Sequence, residues 1–251
     1  MAQIFKPSAN SVAKVTVGFL AALPIVGGYA IAALSRSPAN TKVDVPKDQP
    51  VPFSHEHHVT ELGIDCRYCH TSVEKSSYAG LPATETCMSC HSQLWTNSPL
   101  LEPVRQSFET GTPIHWTLIN KVPQFVFFNH SIHIARGINC NVCHGPVNDM
   151  MITYKGNAFQ MSWCLQCHRA PERYLYKDPT HPELSPRQQV FNLYWKMEEN
   201  GYTNLAPKEQ DILEGHYGGS DDSTDVTAGK KLVNDYGVKV QELADCSICH
   251  R

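Results

Sequence analysis

From Val15 to Leu34 the chain reads VTVGFLAALPIVGGYAIAAL, twenty residues without a charge. At about 1.5 Å per residue such a run crosses about 30 Å of hydrocarbon, which predicts a membrane-spanning helix. Pro24 and the Gly27-Gly28 pair fit a membrane helix better than a soluble one. A cleaved secretory signal is the competing reading, with Lys6 and Lys14 as its basic region and Ala30-Ile31-Ala32 as a small-residue site. The run exceeds the usual apolar stretch of about 7–15 residues, so a retained anchor over 1–36 is expected.

Downstream the periodic stretches are short. SPRQQVFNLYWKMEENG, from Ser185, predicts a capped helix with Ser185 as N-cap, Pro186 at N1, Gln188 completing the box and Gly201 as the stop. Its stripe of Val190, Leu193, Tyr194 and Met197 should pack on the domain or on a partner. A second short helix is expected over Pro207 to Glu214 and a last one near Ala228 to Tyr236, with GGSDDST (Gly218 to Thr224) as an acidic loop. Residues 37–52, rich in Pro and polar side chains, read as a linker. Seventeen Pro and fifteen Gly argue against long elements elsewhere. The expected fold is short α-helices and coil with little β-sheet, behind one N-terminal transmembrane helix.

Composition changes the picture. The 251 residues include ten Cys and thirteen His but only 18% charged residues. An even cysteine count suits a disulfide framework, but the spacing removes that reading. Every cysteine lies in a C-x-x-C-H motif: Cys66/Cys69-His70, Cys87/Cys90-His91, Cys140/Cys143-His144, Cys164/Cys167-His168 and Cys246/Cys249-His250. Chance placement would give about 0.02 such matches in a chain of this kind. Two cysteines three apart add to the two vinyl groups of one haem, and the next histidine then meets the iron from the proximal face. A zinc ribbon needs no histidine after each second cysteine and pairs two knuckles per metal, and a thioredoxin-like site needs a βαβ frame. Five covalently bound haem c groups are expected.

The motifs repeat in a larger unit. FSHEHHVTELGIDCRYCH, from Phe53, and FNHSIHIARGINCNVCH, from Phe128, share F-x-H-x-x-H followed by G-I-(D/N)-C-x-x-C-H. The repeat length is about 75 residues. This predicts dihaem modules over 53–127 and 128–184, and a helical region with the fifth haem over 185–251. His55, His58, His130 and His133 are the expected distal ligands for four irons, since positions i and i+3 share a helical face. His57 should face solvent. Sequence leaves open which distal histidine serves which iron.

These stretches, with IHWTLINKVPQF before Phe128 and FQMSWCLQCHR after it, resemble the pentahaem membrane-anchored cytochrome c subunit of bacterial alternative complex III. F-x-H-x-x-H ahead of C-x-x-C-H is also similar to the cytochrome c3 type. The resemblance covers roughly residues 50–173, and relatives often carry His in the run where this chain has Asn120. It implies an electron-carrier subunit, not itself an enzyme, in a quinol:electron-acceptor oxidoreductase of the respiratory chain. Implied partners are other membrane and periplasmic subunits, an iron–sulfur subunit among them, and a cytochrome c or terminal oxidase. Alternatives are a stand-alone membrane-anchored quinol dehydrogenase feeding a periplasmic reductase, and a reductase of a small anion such as nitrite.

No F-x-H-x-x-H precedes Cys246, so the fifth iron needs another sixth ligand. Met150 and Met161 are the candidates, since a thioether raises the potential; Met151, His115, His181 and His216 compete. Lys6 and Lys14 place the N-terminus in the cytoplasm and the haem domain on the periplasmic side of the bacterial inner membrane. The net charge is −3. About ten haem propionates would take it to roughly −13, suited to a basic partner such as a cytochrome c. No basic stripe suggests nucleic acid.

Overall fold

The computed structural model describes residues 6, 8–215, 219 and 221–250. His216, together with Gly218 and Ser220 of the expected acidic loop, lies outside the described residues. The chain divides into two units, Met1–Val43 and Asp44–Arg251.

The first unit is dominated by the helix Ser8–Arg36, which runs unbroken through Pro24 and buries none of its residues. Its 29 residues are long and apolar enough to cross a membrane. A single N-terminal apolar helix with no buried face fits a single-pass membrane anchor. A four-residue helix, Pro38–Thr41, follows.

The second unit is helical and irregular, with no β-strand among the described residues. Part of the stretch expected as a linker belongs to it. Asp44 N bonds to Lys155 O, Gln49 exchanges hydrogen bonds with the Thr117 backbone, and Val51 is buried. The helix Pro186–Asn200 organises the interior. It starts with the expected capping box, Ser185 with Gln188, and Pro186 at N1, and it ends at Gly201. Its face of Val190, Phe191, Leu193, Tyr194 and Met197 is buried. Leu193, Tyr194 and Met197 join Ile138, Val142, Leu175, Ile212 and Leu213 in one apolar cluster, while Val190 and Phe191 meet Val73 and Ile134 in a second.

The helix Pro207–Leu213 ends one residue before the expected limit and packs on Cys140–His144. The last long helix is Ser223–Asp235, beginning before the predicted Ala228 because the Asp222 carboxylate accepts from Thr224 N and Asp225 N. An aspartate there satisfies helical N–H groups that would otherwise lack partners. So part of the acidic stretch is a cap and a first turn. This helix lies against Pro171–Arg173, and at Gly229 any Cβ would collide with Glu172 O. Only glycine permits that approach.

Candidate cofactor-binding sites

Each C-x-x-C-H forms a single helical turn or the end of a longer helix: Cys66–Cys69, Thr84–His91, Cys140–His144, Met161–Arg169 and Cys246–Cys249. One turn brings both sulfurs to one side, as two-point attachment requires. The D/N before the first cysteine proves to be its cap. Asp65 accepts from Arg67 N and Asn139 accepts from Asn141 N. The ten cysteines are free of disulfides.

The two F-x-H-x-x-H copies superpose in their interactions. Phe53 lies edge-on to His55 at 4.9 Å and stacks on His58 at 4.4 Å. Phe128 does the same with His130 at 4.7 Å and His133 at 4.6 Å. The second copy begins an α-helix, His130–Ala135, whereas the first opens into the wider π-helix Glu56–Glu61. His57 is half-exposed and faces Glu61, as expected of a solvent position.

The histidines meet in pairs. His130 and His144 have parallel rings with centroids 6.2 Å apart, His133 and His168 lie at 6.1 Å, and His58 and His91 at 6.2 Å. Two imidazoles on one iron, with bonds of about 2.0 Å and ring centres about 1.1 Å beyond, stand about 6.2 Å apart. Among the described residues no three His, Cys, Asp or Glu converge as on a bare metal ion. The arrangement therefore fits a flat group lying between two rings better than a tetrahedral zinc.

Protonation agrees with that fit. Nδ1 of His58, His70, His130, His133 and His168 faces the carbonyls of Ser54, Gly80, Ser77, Asn129 and Leu243 at 2.7–2.8 Å. His91 and His250 reach Leu94 O and Phe125 O at 3.2 and 3.1 Å. A carbonyl only accepts, so Nδ1 carries a hydrogen, and in the neutral ring this leaves on Nε2 the lone pair that binds metal. Burial lowers the pKa of His144 to about 4, aided by His130 and His70. His55 falls to about 4 through burial and the fields of His70, His58 and His144. Both rings are neutral near pH 7, the ligating form.

Neighbouring motifs touch. Tyr68 OH and Ser89 Oγ, one in each of the first two motifs, are 2.8 Å apart. The Cys66 and Cys140 thiols, from the first and third motifs, pack against the same apolar clusters. His168 Nδ1 donates to Leu243 O just ahead of Cys246, and Phe127 N donates to Cys249 O beside Phe128.

The remaining candidates are scattered. Met150 is buried, its methyl against Gly145 and its carbonyl accepting from His55 N and Glu56 N. Met161 is exposed, one turn before Cys164, and Met151 is exposed too. His115 is exposed and His181 faces Glu183. Asn120 Oδ1 and Arg105 Nη1 are buried without hydrogen-bond partners. The guanidinium nitrogen would suit an anion such as a propionate. Sequence reading missed the caps at Asp65 and Asn139, for which the D/N before each first cysteine was the available signal. It also missed the carbonyls that orient the rings, which no side-chain pattern encodes.

No family model matches the chain. It is 32% identical over 143 residues to the multihaem cytochrome c subunit of menaquinone reductase from Nitratidesulfovibrio vulgaris, which covers 49% of this chain and 68% of that one. Taken with the repeated attachment motifs and the paired imidazoles, this likeness makes the chain a member of the family of multihaem cytochrome c subunits of quinone oxidoreductases, electron-transfer proteins whose haem c is covalently held.

Proposed function

We propose that this chain carries five haem c groups and serves as the electron relay of a membrane quinone oxidoreductase. The observation that carries the reading is the spacing of the histidine pairs, 6.1–6.2 Å between ring centroids. On this reading His58 and His91 hold the second iron, His130 and His144 the third, and His133 and His168 the fourth. His55 serves the first with His70, the histidine whose field acts on it most. Haem exchanges single electrons at a potential set by its axial ligands and surroundings.

The contacts between motifs order them in space. Cys87–His91 meets Cys66–His70 through Tyr68 and Ser89, and Cys66 meets Cys140. His130 and His133, three residues apart, join the third and fourth motifs, and Leu243 joins the fourth to the fifth. Electrons would travel second, first, third, fourth, fifth, or the reverse. Cys90 and Cys246, at the two ends of that line, are the exposed cysteines. Met161 is the better sixth ligand for the fifth iron, because it shares a helix with Cys164, whose thiol feels Cys249. Met150 is buried beside the Gly145 turn.

The anchor would keep the relay at the membrane, with its haem domain on the periplasmic side. The resemblance to alternative complex III has electrons leaving quinol for a cytochrome c or terminal oxidase. The relative's name has them arriving at menaquinone, and paired axial rings conduct in either direction. The test is detergent-solubilised, full-length protein examined by intact mass, spectroscopy and subunit content. Expected are a mass increment of five haems, low-spin spectra, no reaction with carbon monoxide, and copurifying membrane and iron–sulfur subunits. Unmodified thiols or zinc would overturn the reading. Quinol oxidation by the isolated chain would favour the stand-alone dehydrogenase, and nitrite binding the reductase. Equilibration with menaquinol and with a basic cytochrome c gives the direction.

A further inference from the structure

Eight of the histidines assigned above as iron ligands have a described partner at Nδ1, and seven of those partners are backbone carbonyls. His55 differs: its Nδ1 meets a side chain, the Thr153 hydroxyl, at 3.2 Å. Thr153 is 98 residues away in sequence, in the other copy of the repeat. The backbone around it holds the same histidine, since Met150 O accepts from His55 N at 2.9 Å and from Glu56 N at 3.3 Å.

The second copy is held reciprocally. His130 N and Nδ1 both donate to Ser77 O, and Ser131 N donates to Ser76 O. Ser76 follows His70 by the interval at which Met150 follows His144. Each repeat therefore fixes the leading histidine of the other with the segment just beyond its own first C-x-x-C-H. At the ring the two halves differ in the Nδ1 partner, a carbonyl for His130 and a hydroxyl for His55; with Nε2 on the iron, that hydroxyl accepts the ring hydrogen.

The geometry points to Thr153 as a positioning residue that sets the ring orientation and donor strength of His55 towards the iron tethered at Cys66 and Cys69. This rests on the reading of His55 as a ligand of that iron. An acceptor at Nδ1 makes an imidazole a stronger donor to its metal, and fixes which nitrogen is presented. Removing the acceptor leaves an N–H unpaired in a buried site, so the ring turns or binds more weakly, and the ferric state loses stabilisation. The affected potential should rise. The remaining irons, none of whose assigned histidines has Thr153 as its Nδ1 partner, should not respond.

The experiment uses full-length, haem-loaded protein with potentiometric titration and low-temperature electron paramagnetic resonance. Thr153→Val keeps the shape without the hydroxyl, and Thr153→Ser restores it. The expected result is one component moving to higher potential with altered g values in Thr153→Val, the others unchanged, and wild-type values in Thr153→Ser. No movement in Thr153→Val, or equal drift of all components, overturns the proposal. His55→Ala separates the two failures. If it opens one haem to carbon monoxide while Thr153→Val is silent, His55 is a ligand and Thr153 is not its orienter. If it leaves every haem six-coordinate, the ligand reading falls and the Thr153 proposal with it.

Discussion

Residues 44–127 and 128–250 carry similar motifs but are built differently. In the first stretch the buried apolar side chains are Val51, Val73 and Val104, while Tyr68, Tyr78, Leu81, Leu94, Trp95, Leu100 and Phe108 are exposed. In the second, a continuous cluster from Ile138 to Tyr236 wraps the helix Pro186–Asn200. A polypeptide that buries so little apolar surface lacks the main driving force for folding. On the proposed reading haems would complete the core of the first stretch, whereas the second packs largely on itself. One cofactor chemistry thus rests on two different grounds of stability.

The largest test removes the haems from the weaker half. Replacing Cys66, Cys69, Cys87 and Cys90 with Ala should leave residues 53–127 open to proteolysis and rapid hydrogen exchange, with 186–236 still protected. Equal protection of both stretches would erase the contrast. Next come changes confined to the second half. Lys196 bridges Asp178 at 3.2 Å and Glu209 at 2.7 Å, and the Glu209 side chain is fully buried. Lys196→Met should cost about 3–5 kcal/mol in denaturant titration, because it strands a buried charge. Leu193→Ala, in the apolar cluster, should cost about 2–5 kcal/mol by the same measurement.

The same ion cluster predicts a pH dependence. Burial would raise the Asp178 carboxyl, but hydrogen bonds from Thr180 and the Lys196 ammonium outweigh it and hold its pKa below the ordinary value. Its stabilisation is complete above the unfolded carboxylate range and is lost as pH falls through the lower folded value. Melting of the second half should therefore drop in acid, and Lys196→Met should flatten that slope. The smallest effect belongs to the first half. Asp65→Ala removes an N-cap and should cost about 1 kcal/mol. A much larger loss would mean that this half depends on its own polypeptide after all.

The five C-x-x-C-H motifs were readable because covalent haem chemistry demands a fixed local spacing, and each forms the helical turn that this spacing implies. The capped helix at Ser185 was equally readable, since capping is decided within four residues. The early start of the Ser223–Asp235 helix was hidden by reading Asp222 as loop acidity and not as a cap. The pairing of His58 with His91 and of His133 with His168, and the reach of Thr153 to His55, join distant positions. No local pattern carries that information. Nor did the boundary near Asp44 declare itself, because the bond from its N–H to Lys155 O uses backbone atoms that every residue has.

The shared packing of Cys66 and Cys140 bears on how the protein is made. Two thiols from different attachment motifs pack against the same apolar clusters, so a disulfide between them would block both motifs. Attaching porphyrin to each motif before the halves close would keep those two sulfurs apart.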